Sequence, residues 1–224
     1  MTKVALVISH SINSINNGGS GDSSNDLTKE GIQAAQIFGA NLRIGNTPII
    51  YYSADTQRCL NTCRYIEEGR MGKLPSTFTM YTPFLLSELS FLKENYIIPS
   101  TTDLTEVVEY SAGNRSASTE ELKNISIEWL NKLKKVMKDG LTICVTHDTL
   151  LIPLIYNLTD LTYSKLNEYK SKNNWNKLPR ISPLTGIAVI VKDNETEVKR
   201  VKGLKTAWIS ADDYDYDFIK EIPN

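Results

Sequence analysis

The feature that most constrains this chain is a short apolar run that ends in a histidine and occurs twice. Val4–Ile8 is continuous, largely β-branched and too short for a buried helix, followed by Ser9, His10 and Ser11. Leu141–Val145 repeats the pattern, followed by Thr146, His147 and Asp148. Runs of this kind suit strands buried on both faces, as in a parallel sheet covered by helices. In open α/β sheets ligands bind beyond the carboxyl ends of such strands. The chain has only two histidines, and both fall there.

Between these runs the pattern alternates helix and strand. Thr28 caps a predicted helix whose inward positions are Ile32, Ala35, Ile37, Phe38 and Leu42. Pro48–Ser53 reads as a strand, and a helix follows through about Glu67 carrying Cys59, Leu60, Cys63 and Ile66 inward. Residues 69–120, broken by Pro75, Pro83 and Pro99, read as an inserted cap over the sheet. Glu120–Lys138 is amphipathic, with Leu122, Ile125, Trp129, Leu133 and Val136 on one stripe. An apolar helix is expected from Thr149 through Leu158, a polar helical excursion over Tyr163–Lys177, and a hairpin from Ile187–Val191 and Val198–Val201. The expected fold class is α/β: three layers, a mainly parallel sheet with helices on both faces and a cap insertion, in a single domain of 224 residues.

Composition narrows the function by exclusion. Lysine plus arginine number 25 against 26 acidic residues, a balance without the basic excess of a nucleic-acid surface. No leader-like or membrane-spanning run is read, so a cytoplasmic location without membrane or nucleic-acid partners is expected. The three cysteines Cys59, Cys63 and Cys144 are an odd number, and Cys144 lies inside a predicted strand, which favours buried thiols over a disulfide framework. With two histidines and neither beside Cys59 or Cys63 in sequence, no zinc site and no other metal or cofactor is expected. The polar segment Ser11–Asp26 leaves the first strand as a long loop, the kind of connection that often carries function. The acidic run Asp212–Asp217 reads as a solvated tail.

Aligning the strand ends brings His10, Arg58, His147 and Asp148 to one edge, where two imidazoles, a guanidinium and a carboxyl group can converge. That set suits phosphoryl transfer. A neutral imidazole can attack phosphorus, cations can hold its oxygens, and a carboxylic acid can protonate the leaving oxygen.

Four motifs in order resemble those of the histidine phosphatase superfamily, the phosphoglycerate mutase-like fold: Val7–Ser11, Leu27–Gly31, Ser53–Arg58 followed by Thr62, and Val145–Thr149. The Ala54-Asp55 to Arg58 spacing and His147-Asp148-Thr149 look closer to the histidine acid phosphatase branch. The resemblance implies a small phosphorylated metabolite as substrate. It makes His10 the residue that becomes phosphorylated, Arg58 and His147 phosphate ligands, Thr149 part of the binding motif, and Asp148 the proton donor. Glu88 is the alternative donor, because the mutase branch uses a glutamate from the inserted region. Asn16 stands where that branch has a phosphate-binding asparagine.

The departures are equally specific. The superfamily's Arg-His-Gly reads Ser9-His10-Ser11 here, and Asn13 occupies the place of the acid phosphatase branch's second arginine, so the resemblance makes Ser9, Ser11 and Asn13 expected substrate-binding residues. Each charge-assisted hydrogen bond lost with an arginine is worth about 1.5–3 kcal/mol, and Lys29, Arg43 and Arg115 are the cations that remain as substitutes. Two other readings stay open beside the phosphatase: acid–base chemistry on a less charged substrate, and a binding module without turnover.

Overall fold

A computed structural model describes residues 2–13, 26–42, 44, 47–73, 76, 78–81, 119–147, 151, 154–155, 157–159, 183–193 and 195–201. Six strands form one sheet: β1 Lys3–Ser9, β2 Ile49–Ser53, β3 Met80–Tyr81, β4 Gly140–Thr146, β5 Gly186–Lys192 and β6 Glu195–Val201. Their order is β3-β2-β4-β1-β5-β6. The four strands from β3 to β1 are parallel, and the β5–β6 hairpin joins antiparallel beside β1. Every residue of β1 from Val4 to Ile8 is fully buried, and Gly140–Thr146 is buried throughout. Two covered faces demand apolar side chains in both directions, which is why these strands read as continuous runs rather than alternating ones.

Three described helices cover the sheet: α1 Lys29–Asn41, α2 Gln57–Met71 and α3 Thr119–Val136. Neighbouring residues of β2 reach opposite layers. The Tyr51 hydroxyl donates to Glu67 Oε2 of α2 at 2.8 Å, and the Tyr52 hydroxyl donates to the Val136 carbonyl of α3 at 3.4 Å. Because successive side chains of a strand point to opposite faces, α2 and α3 lie on opposite sides of the sheet. The result is the expected three-layer α/β architecture.

Thr28 caps α1, its hydroxyl accepting from the Gly31 N–H at 3.1 Å. The buried face of α1 keeps Ala35 and Leu42 inward as expected, with Phe38 packed against the core, but Gly31, Ala34 and Gly39 are inward too and Ile37 is 53% exposed. The reason is close packing of α1 on α2. A side chain at Gly39 would run into the Ile66 carbonyl, so small residues mark the contact and the larger Ile37 faces outward.

Helix α2 runs past the expected Glu67 to Met71 and ends at Gly72 in the left-handed region, φ 74°. The beginning of the presumed cap is therefore helix, and Met80–Tyr81 adds an edge strand to β2 rather than belonging to an insertion. Two residues carry too little periodicity for β3 to be read from sequence. Residues 82–118, the rest of that cap, lie outside the described residues, as do the 163–177 excursion, the side chains of Leu122 and Ile125, and the acidic tail. All three cysteines are buried free thiols. No described helix is long and apolar enough to cross a membrane.

Candidate active site

Strands β1 and β4 are neighbours in parallel register, with Ser9 opposite Thr146. The next residue on each strand is a histidine. The His10 N–H donates to the Thr146 carbonyl at 3.0 Å, and the two imidazole rings meet edge to face, centroids 5.5 Å apart at 70°. Both side chains are partly exposed at the carboxyl edge of the sheet.

The protonation of His10 follows from its partner. Nδ1 lies 2.7 Å from the Ser11 carbonyl, which can only accept, so Nδ1 carries the hydrogen. In the neutral ring the lone pair is then on Nε2. Ser11 is fully buried and all its polar groups are engaged: its N–H donates to Thr62 Oγ1 at 3.0 Å, its hydroxyl donates to the Gly31 carbonyl at 2.7 Å, and its carbonyl receives His10. Expected as a substrate ligand, Ser11 is instead a junction between β1, α1 and α2, because no polar atom of it is left to meet a substrate. Its neighbour Ile12 passes so close to α1 that a Cβ on Gly31 would collide with the Ile12 carbonyl, which also accepts from the Thr28 N–H at 3.0 Å.

Arg58 stands in the first turn of α2. Its Nε is buried with no hydrogen-bond partner among the described residues, and so is Oγ1 of the preceding N-cap residue Thr56. A buried N–H without an acceptor costs free energy that an arriving anion can offset. The same turn reaches both histidine segments. Thr62 Oγ1 joins Ser11 N to the Arg58 carbonyl, the second bond being 2.7 Å. The Cys59 thiol lies 3.8 and 3.9 Å from Nδ1 and Nε2 of His147. Near-equal distances place the sulfur against the ring as a packing partner rather than in line with one nitrogen.

Ser9 is 3% exposed, and its N–H donates to the Thr185 carbonyl at 2.9 Å. Asn13 is 1% exposed and pairs through its backbone with Leu27, at the base of the segment 14–25. The structure thus sets His10 and His147 against each other at one sheet edge, with the first turns of α2, which carry Arg58, packed on both segments through Thr62 and Cys59, and with Ser9, Ser11 and Asn13 buried. Asn16, Glu88, Asp148 and Thr149 lie outside the described residues, although the Leu151 N–H donates to the His147 carbonyl at 3.2 Å and begins the following helix. No described group of three or more His, Cys, Asp and Glu residues is arranged to hold a metal ion.

Two residues here were not singled out from sequence. Thr62 was noted only as a motif member, and its spacing of one turn from Arg58 was the available signal. Cys59 was expected simply to be buried; nothing in the sequence pairs it with His147.

No protein-family model and no curated protein matches the chain. Solved structures do. A mycobacterial hydrolase aligns with TM-score 0.54 at 12% identity, over 92% of this chain and 100% of its own. The mycobacterial glucosyl-3-phosphoglycerate phosphatase aligns with TM-score 0.53 at 13% identity, over 92% and 100%. A putative alpha-ribazole-5'-P phosphatase from Escherichia coli aligns with TM-score 0.50 at 14% identity, over 93% and 100%. With the sheet order and these neighbours in view, the chain carries the phosphoglycerate mutase-like α/β fold.

Proposed function

We propose that the protein is a phosphatase-like enzyme that acts on a small phosphorylated metabolite through a phosphohistidine at His10. The observation that carries the reading is the His10 Nδ1–H bond to the Ser11 carbonyl, because it leaves the Nε2 lone pair as the nucleophile beside His147. Nε2 attacks phosphorus, the bond to the alcohol oxygen breaks, and the leaving oxygen takes a proton from Asp148, with Glu88 as the alternative donor. Water then attacks the phosphohistidine, its proton passing to the carboxylate left by the first step, which releases phosphate and restores both neutral His10 and the carboxylic acid. Arg58 and His147 hold the phosphoryl oxygens as charge builds on them. No step uses a metal ion or an organic cofactor. The whole-chain alignments with structures named as phosphatases support the reading.

The buried neutral Ser9 favours a second reading, acid–base chemistry at the same two imidazoles on a substrate of lower charge. One experiment separates the two. Incubation with a reactive phosphodonor should give an acid-labile, base-stable label that is lost in His10→Ala and kept in His147→Ala. Label that persists in His10→Ala would remove His10 from the role, and product formed without phosphate release would select the second reading.

A further inference from the structure

Phosphoryl transfer at this site needs the His10 imidazole and the Arg58 guanidinium held in one geometry, although they sit on different elements. A continuous chain of hydrogen bonds joins the His10 imidazole to the backbone of the turn that carries Arg58. Arg58 contributes its carbonyl to Thr62 Oγ1 at 2.7 Å, Thr62 Oγ1 accepts from Ser11 N at 3.0 Å, and the Ser11 carbonyl receives His10 Nδ1–H at 2.7 Å.

The direction of each bond is fixed. A backbone N–H can only donate, so Thr62 Oγ1 must accept from Ser11. A carbonyl can only accept, so the hydroxyl proton of Thr62 goes to Arg58. The bond from Thr62 to the carbonyl four residues back is common in helices by itself and merely orients the hydroxyl. What is unusual is that the oriented lone pair meets an N–H from another element, in a residue with 0% exposure where water cannot substitute. Ser11 is pinned on its other side by its hydroxyl bond to Gly31.

We propose that Thr62 is the positioning residue that sets the proton on His10. Its kinetic consequence rests on the phosphohistidine reading; its effect on the His10 proton does not. Loss of the Thr62 acceptor leaves Ser11 N–H buried and unpaired, so the Ser11 backbone shifts, and the carbonyl on the other side of its Cα no longer fixes Nδ1–H.

The test uses Thr62→Val, which keeps the side-chain volume and removes the hydroxyl, with Thr62→Ser as the rescue. With only two histidines in the chain, nitrogen NMR resolves each ring, and His10→Ala assigns them. Wild type should show His10 as the Nδ1–H tautomer. Thr62→Val should mix the tautomers and lower the His10 pKa by about half a unit or more, because the imidazolium loses its acceptor. Single-turnover phosphorylation of His10 should fall about ten- to a hundred-fold. Thr62→Ser should restore both.

A Thr62→Val protein that is only less stable, with His10 tautomer and pKa unchanged, would overturn the proposal. If Thr62→Val does not fold, Thr62→Cys supplies the comparison, sulfur being a much poorer acceptor, and is read by the same criteria. If wild type takes no label and the His10 tautomer still depends on Thr62, the phosphohistidine reading fails while the positioning role stands.

Discussion

Helix α2 carries an arginine near each end, and the two are treated oppositely. Arg70 is closed into a cluster: its Nε donates to Glu67 Oε2 at 2.8 Å, its terminal nitrogen reaches Oε1 at 2.6 Å, and the Tyr51 hydroxyl completes the carboxylate. Both charged side chains are under 10% exposed. Arg58, three turns earlier, keeps a buried Nε with no partner among the described residues, and sits where two histidine-bearing strands end. A buried charge matched by its own chain is part of the scaffold. A guanidinium left incompletely matched, in the helix turn that packs against both histidine segments, is suited to an anion that comes from outside.

The largest effect expected from breaking this contrast is at the closed end. Arg70→Ala would strand the Glu67 carboxylate in the interior and should cost about 3–5 kcal/mol of stability. Urea unfolding measures it, and the activity of the fraction that stays folded should be unchanged. A loss below 1 kcal/mol would mean that water reaches Glu67 after all.

At the open end the pattern should invert. Arg58→Ala should lower turnover of an aryl phosphate by about 10²–10³-fold, the scale of one lost transition-state donor. Stability should change by no more than about 0.5 kcal/mol, since no hydrogen bond of its Nε is broken. If Arg58→Ala instead unfolds the protein with normal turnover per folded molecule, the two arginines are alike and the contrast fails.

A smaller effect reads the closed end through pH. Burial first, and then the Glu67 charge, push the Tyr51 hydroxyl far above the usual tyrosine range. Below pH about 10 the hydroxyl is protonated in folded and unfolded chains alike. Above it the unfolded chain releases the proton and the folded chain does not, so stability must fall as pH rises, by about 1.4 kcal/mol per unit for each such group. Cys144, pushed up to about 12 by burial, begins the same decline near its ordinary value of 9.0 and ends it near 12. Urea midpoints between pH 8 and 11 should therefore slope downward, and Tyr51→Phe should flatten the slope above pH 10. An equal slope in that variant would mean that Tyr51 is not held protonated by its surroundings.

How much was legible from sequence depended on whether the signal was local. Buried strands β1 and β4 were readable because two covered faces impose an unbroken apolar run, and the cap at Thr28 because its hydroxyl bonds within one turn. On α1, Ala35 and Leu42 were read correctly as inward but Ile37 was misread, because hydrophobicity predicts burial only where there is room. Against α2 there is room for Ala34, Ala35 and Gly39 but not for Ile37. Strand β3 was missed because two residues acquire strand character only by pairing with β2. Ser11 was counted among the substrate-binding residues because it stands beside His10 in the first motif; that its hydroxyl belongs to Gly31, on another element, is a tertiary fact.

By itself the sequence determined the class of fold and the edge at which chemistry is expected, since strand burial and the position of a histidine after a strand are properties of consecutive residues. It also placed Arg58 one turn beyond a strand end. Only the tertiary structure decided that β1 and β4 are adjacent and in register, which sets the two imidazoles edge to face. Only the packing of α1 and α2 around Ser11 decided which nitrogen of His10 carries the proton. The physical reason is the reach of the interactions: apolar periodicity is written along the chain, whereas a hydrogen bond between elements depends on distances of about 3 Å that exist only once those elements have packed.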